Sequence, residues 1–133
     1  MHIRTMLASH PERHGMVPEP VASCIEACFH CASICHACAD ACLAEDMVKD
    51  LTQCIRLDLD CADLCLTAGT MMLRRTGSNE DVLRRMVDAC AVACRLCAEE
   101  CERHAAHHMH CKHCAEACRD CERACVDAGR SLH

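Results

Sequence analysis

Thiol chemistry dominates this chain: 18 of its 133 residues are cysteine, and they recur three and four residues apart. They fall in four runs: Cys24, Cys28, Cys31, Cys35, Cys38 and Cys42; Cys54, Cys61 and Cys65; Cys90, Cys94, Cys97 and Cys101; Cys111, Cys114, Cys118, Cys121 and Cys125. Alternating steps of three and four put a run on one stripe of a helix, at the a and d positions of a heptad, where a bundle normally keeps its leucines. Neighbours on such a stripe have Cβ atoms roughly 5–6 Å apart. With a metal–sulfur bond of about 2.3 Å, a linear two-thiolate site needs sulfurs roughly 4–5 Å apart, within reach of ordinary rotamers. Zinc and iron–sulfur clusters instead want four ligands, usually from loops or chain ends. A continuous ladder suits many soft monovalent ions held together, and soft thiolates select Cu(I). Each ion would replace one thiol proton, so filling the core need not accumulate charge.

Weaker donors gather at one end. If the first and third long helices point the same way, Met47 at a d position meets His104, His107, His108, Met109, His110 and His113. Imidazole and thioether hold Cu(I) less tightly than thiolate, which suits an entrance. The other end carries Val21, Ala68, Met72, Leu83, Val87 and Leu132, an apolar plug. His2, His10, His14, His30, His36 and His133 lie off the stripe or in the tails and are assigned no ligand role. Asp58 occupies an a position between Cys54 and Cys61. A lone buried carboxylate is costly, which leaves two readings: it turns to the bundle edge to meet an arginine, or it is a metal ligand.

The elements that must position these groups are helices. Residues 1–17 read as an arm with a short helix around Arg4 to Ser9. Pro18 and Pro20 introduce a long helix to about Ala44, and Glu45-Asp46 makes a polar turn into a second helix reaching about Thr76. Gly77 reads as a C-cap and Ser78-Asn79-Glu80-Asp81 as an N-cap, so a third helix spans Glu80 to about His104. A junction over 105–108 leads to a fourth helix ending at Gly129. Cys42 to Cys54 is 12 residues and Cys101 to Cys111 is 10, so heptad phase is lost across both junctions. Short connections favour antiparallel neighbours. The expected fold is all-α, an up-down-up-down four-helix bundle over residues 18–133 with a cysteine-lined core. The charged residues of the third and fourth helices, such as Arg84, Arg95, Glu99, Lys112 and Arg119, fall off the stripe and form a solvated face.

Composition bounds the rest. Leu, Ile, Val and Phe together number 23, with no Trp or Tyr, a stock that would ordinarily suggest disorder or a disulfide scaffold. Protonated cysteine is a small hydrophobe, so a thiol-lined bundle can fold, and ions bound only to the folded state would stabilise it. A formal charge of −6 argues against nucleic acid or anionic lipid as a partner. The first residues lack an apolar h-region, and no run of about 18 uninterrupted apolar residues appears, so the expectation is a cytoplasmic protein with no membrane span and reduced thiols. Three competing readings stay open. A disulfide-braced helical protein fits the even cysteine count but not the spacing. An iron–sulfur or zinc protein is suggested by CKHCAEACRDC, which lacks the ferredoxin spacing and its proline. A redox enzyme would carry its C-x-x-C at a helix start beside a strand, not mid-helix and repeated.

The helix-one run C-x3-C-x2-C-x3-C-x2-C-x3-C, the helix-four run CKHCAEACRDCERAC and the early His10-Pro11 resemble the cytosolic copper storage proteins, Cys-rich four-helix bundles of bacteria. The resemblance covers almost the whole chain. It implies a non-enzymatic store binding many Cu(I) ions, assembled as a homotetramer, with a His-lined open end. On that resemblance the 18 cysteines are core ligands, His104, His108 and His110 are entrance ligands, and Asp58 is an oxygen ligand.

Overall fold

Pro18 and Pro20 start the first long helix because neither needs a backbone N–H there; the amides of Val21 and Ala22 both bond back to the Pro18 carbonyl. The computed structural model describes residues 2–12 and 16–132, so His14 and His133 lie outside the described residues. Its helices are α1 (His2–Ala8), α2 (Glu19–Leu43), α3 (Thr52–Leu73), α4 (Glu80–His104) and α5 (Met109–Ser131), with a 3-10 turn at Val48–Leu51 and no strand among the described residues. The short arm helix extends two residues earlier than the sequence suggests. Leu7 is its buried anchor, and Arg4 clamps it to α2 through Glu19 at 2.8 Å and Glu26 at 2.7 Å.

Both phase slips mark real turns, with differences at their edges. After Glu45-Asp46 the chain makes the 3-10 turn before α3 begins. Buried Leu51 ties that turn to the core, and the Thr52 hydroxyl donates to the Lys49 carbonyl at 2.6 Å. Helix α3 ends at Leu73, three residues before the expected Thr76. Arg74 is extended, and Thr76 is drawn toward the arm by a 3.1 Å contact with His10. Gly77 is therefore not a C-cap. It is a loop residue with φ of 73°, a conformation glycine takes without steric cost. Asn79 caps α4 through its backbone, accepting from Leu83 at 3.0 Å, but makes no side-chain cap bond. Glu80 and Asp81 complement the helix dipole there instead.

Among the long helices the main contacts run α2 to α3, α3 to α4, α4 to α5, and α5 back to α2. Sulfur pairs show the sense of packing. Cys24 meets Cys125 and Cys35 meets Cys114 across α2 and α5; Cys65 meets Cys90 and Cys54 meets Cys101 across α3 and α4. In both pairs the numbers rise on one helix as they fall on the other. Ala22, Ala32, Ala39, Ala62 and Ala68 are buried, so small side chains admit close approach of the helices. Gly69 does the same for Phe29, whose ring lies 3.2 Å from where a Cβ would stand. The expected plug is present, with Val21, Ala68, Met72, Leu83, Val87 and Leu132 all buried.

Helix α2 is long and apolar enough, by length and composition, to cross a bilayer. It meets that measure without an uninterrupted apolar run, because cysteine and alanine raise its hydropathy between the polar residues. Half of the qualifying window is buried inside the protein, as in a core helix.

Candidate metal centre

Every cysteine in the four runs is buried, and all 18 are free thiols. The heptad stripes of four helices converge on one axis and make a continuous column of sulfur. Across α2 and α5, Sγ atoms of Cys24 and Cys125 are 3.7 Å apart, of Cys31 and Cys118 3.8 Å, and of Cys35 and Cys118 3.6 Å. Across α3 and α4, Cys61 and Cys94 are 3.7 Å apart and Cys54 and Cys101 3.6 Å. Cys65 reaches Cys121 at 3.8 Å, which joins the two pairs through the middle.

Groups of four sulfurs lie within 4.8 Å of one another at successive heights: Cys28, Cys90, Cys121 and Cys125; Cys31, Cys65, Cys94 and Cys121; Cys31, Cys35, Cys61 and Cys118; Cys35, Cys97, Cys114 and Cys118; Cys38, Cys42, Cys54 and Cys111. Cys31, Cys35, Cys118 and Cys121 each belong to two of these groups. Because these groups share sulfurs, they cannot all be filled as separate four-cysteine sites. Burial pushes the Cys42 thiol up to about 12, and it raises Cys111 as well. A cation binding to Cys42 or Cys111 as thiolate therefore displaces a proton there.

Asp58 sits inside the column and meets no arginine among the described residues. It is fully buried. Its Oδ1 accepts from Cys97 at 3.1 Å, Cys114 at 3.2 Å and Cys101 at 3.6 Å, while Oδ2 has no hydrogen-bond partner among the described residues. Loss of hydration, reinforced by the Cys114 thiol, pushes its carboxyl up to about 8. A carboxyl oxygen buried among thiols without a partner is a costly arrangement in the metal-free protein.

The weaker donors expected at an entrance gather where the 44–51 segment meets the α4–α5 turn. A cavity of about 410 Å³ is lined by Glu45, Met47, Leu51, His104, His107 and His108, together with Asp46 and Asp50. Met47 lines it, but from the turn before the 3-10 segment and 62% exposed. The d position assigned to it is therefore corrected: no helix carries it. His110 lies deeper, with Nδ1 at 3.5 Å from Cys38 Sγ, 3.6 Å from Cys111 and 3.9 Å from Cys42. Met109 and His113 are exposed and do not line the cavity.

Two residues escaped the sequence reading. Glu45, read there only as part of a turn, takes His108 and His110 on one carboxylate oxygen. Its carboxyl is held below the usual range, chiefly by the His110 hydrogen bond. Glu100 is a buried carboxylate on α4, bonded to His104 at 2.9 Å and Arg103 at 2.8 Å. The spacing Glu100 to His104 is the helical i, i+4 step, a signal the sequence did contain.

A helical scaffold with a column of bridging-competent thiols, closed by an apolar plug at one end and by imidazoles at the other, defines a multi-ion binder of soft metal. The copper storage protein family model matches residues 17–129, and the chain belongs to that family. It is similar to the copper storage protein Ccsp from Streptomyces lividans loaded with 10 copper equivalents: TM-score 0.93 and 47% identity, covering 98% of this chain and 99% of that one. A structure of copper loading to a cytosolic copper storage protein from Streptomyces lividans, with five coppers, gives 0.84 and 51%, covering 86% and 96%. The Cu(I)-bound copper storage protein BsCsp3 gives 0.72 and 38%, covering 86% and 98%.

Proposed function

We propose that this protein stores Cu(I), many ions to a chain, on the thiolates of its core. The observation that carries this is the set of overlapping four-sulfur groups built from free, buried cysteines. Charge supports the choice of metal. Apart from the thiols, Asp58 and Glu100 are the only buried polar or ionisable side chains among the described residues, so neither supplies a buried cation to balance a strongly anionic core. Four thiolates around a divalent ion leave a charge of −2 at each site, whereas one Cu⁺ for each displaced proton leaves none. The ligands are the 18 cysteines and Asp58, with Met47, His104, His108 and His110 serving the entrance.

The scaffold for this role is an up-down-up-down four-helix bundle over residues 18–133, with residues 1–17 as an arm; the opposed numbering of the sulfur pairs supports it. Binding without turnover is the activity, and withholding copper from other sites is its by-product. Storage in the cytosol accords with the free thiols and with the cytosolic Streptomyces relative. Assembly as a homotetramer has a supporting surface in Leu59 and Leu66, both exposed and seven residues apart on α3.

The test is an anaerobic titration of fully reduced protein with Cu(I) against a chromophoric chelator. The protein should take up many ions, of the order of one for each thiol, before the chelator colours. Uptake of only one or two would refute storage.

A further inference from the structure

One carboxylate oxygen serves two imidazoles at the entrance. Glu45 Oε2 lies 2.8 Å from His108 Nδ1 and 2.8 Å from His110 Nε2. An ionised carboxylate only accepts hydrogen bonds, so each of those ring nitrogens carries the proton. A neutral imidazole has one N–H and one lone pair, and the bonded nitrogen decides which is which. The two rings are thereby set in opposite tautomers, with His108 keeping its lone pair on Nε2 and His110 on Nδ1.

Each free nitrogen belongs to a different part of the entrance. His108 is on the wall of the outer cavity with His104, His107 and Met47. His110 Nδ1 is within 3.9 Å of Cys38, Cys42 and Cys111, three of the four sulfurs in the outermost group. The rings stack with centroids 5.4 Å apart and planes 24° from parallel, so the two lone pairs sit on adjacent, co-oriented groups. The same device recurs on α4, where the Glu100 carboxylate accepts from His104 Nε2 at 2.9 Å and so leaves that ring's Nδ1 free.

We propose that Glu45 is the positioning residue of the copper entrance. By holding His108 and His110 in opposite tautomers it leaves one free nitrogen on the ring lining the outer cavity and the other against the first thiols. An ion then passes from one to the next without either ring first exchanging its proton. The inference rests on the storage reading above and adds a role for a residue whose carboxylate bonds the entrance imidazoles. Outer carboxylates of this kind commonly change metal affinity or activity by roughly 10–100-fold when removed.

The experiment uses the reduced, metal-free full chain labelled with ¹⁵N-histidine. Long-range ¹H–¹⁵N correlation reads the tautomers, and stopped-flow mixing with Cu(I) reads entry of the first equivalents. The wild type should show the proton on Nδ1 of His108 and on Nε2 of His110. Glu45→Ala should lose that selection and load roughly 10–100-fold more slowly, and Glu45→Asp should recover part of both. Asp40→Asn, which removes an exposed charge five residues upstream, should change neither. Glu45→Met, which keeps the length of the side chain but offers neither a carboxylate nor an amide oxygen, replaces the alanine variant if circular dichroism shows the latter unfolded. Matching tautomers in the wild type, an unchanged loading rate in both Glu45 variants, or equal slowing by Asp40→Asn would each overturn the proposal. The final stoichiometry of the wild type separates the two readings: many ions with the wrong tautomers sinks only the role of Glu45, and one or two ions sinks storage itself.

Discussion

Replacing Asp58 by asparagine should stabilise the metal-free protein at neutral pH and flatten its stability against pH. In the folded state this carboxyl titrates at about 8, against an ordinary value of 3.8. Between those values the folded protein keeps a proton that the unfolded chain has released. Stability is therefore fully present below about pH 4 and falls as pH rises, by about 1.4 kcal/mol for each pH unit. The window is about 4 pH units wide, so the total loss approaches ~6 kcal/mol, and ~4 kcal/mol is already gone at pH 7. That is a large part of the 5–15 kcal/mol that typically holds a domain together. Guanidinium unfolding of reduced, chelator-treated protein at pH 5, 6, 7 and 8 measures it. The wild type should lose stability steadily across the series, and Asp58→Asn should stay nearly level below the range where thiols titrate. Parallel curves for the two proteins would refute the account, since Asp58 would then be ionising as freely in the fold as in the unfolded chain.

Other perturbations separate scaffold from cargo. Met72→Ala opens a cavity in the fully buried plug and should cost about 2–5 kcal/mol in the metal-free protein, leaving the copper stoichiometry as in the wild type; denaturant unfolding and chelator titration read the two. Cys118→Ala removes a sulfur shared by two four-cysteine groups. It should lower capacity by more than one ion while changing metal-free stability by only about 1 kcal/mol, and loss of a single ion would show that the groups fill independently.

The order in which these parts became legible follows from the physics of each. Cysteine spacing alone carried the stripes, since a three-four alternation has one reading on a helix and the charged residues fall away from it. Phase loss located both junctions that lack Gly or Pro. Helix ends were less legible. Gly77 looked like a cap, but the end of α3 is decided by Thr76 meeting His10 from 66 residues away, a contact that no local pattern encodes. The same is true of Met47, whose heptad position assumed a helix that the 3-10 turn at Val48–Leu51 replaces.

What the sequence determined by itself is the chemistry: soft sulfur in a helical core, with imidazole and thioether at one end, follows from residue type and spacing because both are local. The tertiary structure decided which sulfurs lie together, whether Asp58 faces solvent or thiols, and which ring nitrogens meet Glu45. Those outcomes depend on distances between helices. Cys31 reaches Cys118, Asp58 reaches Cys97 and Glu45 reaches His110 only once four stripes have closed on one axis, and a burial cost arises only when that closure has excluded water.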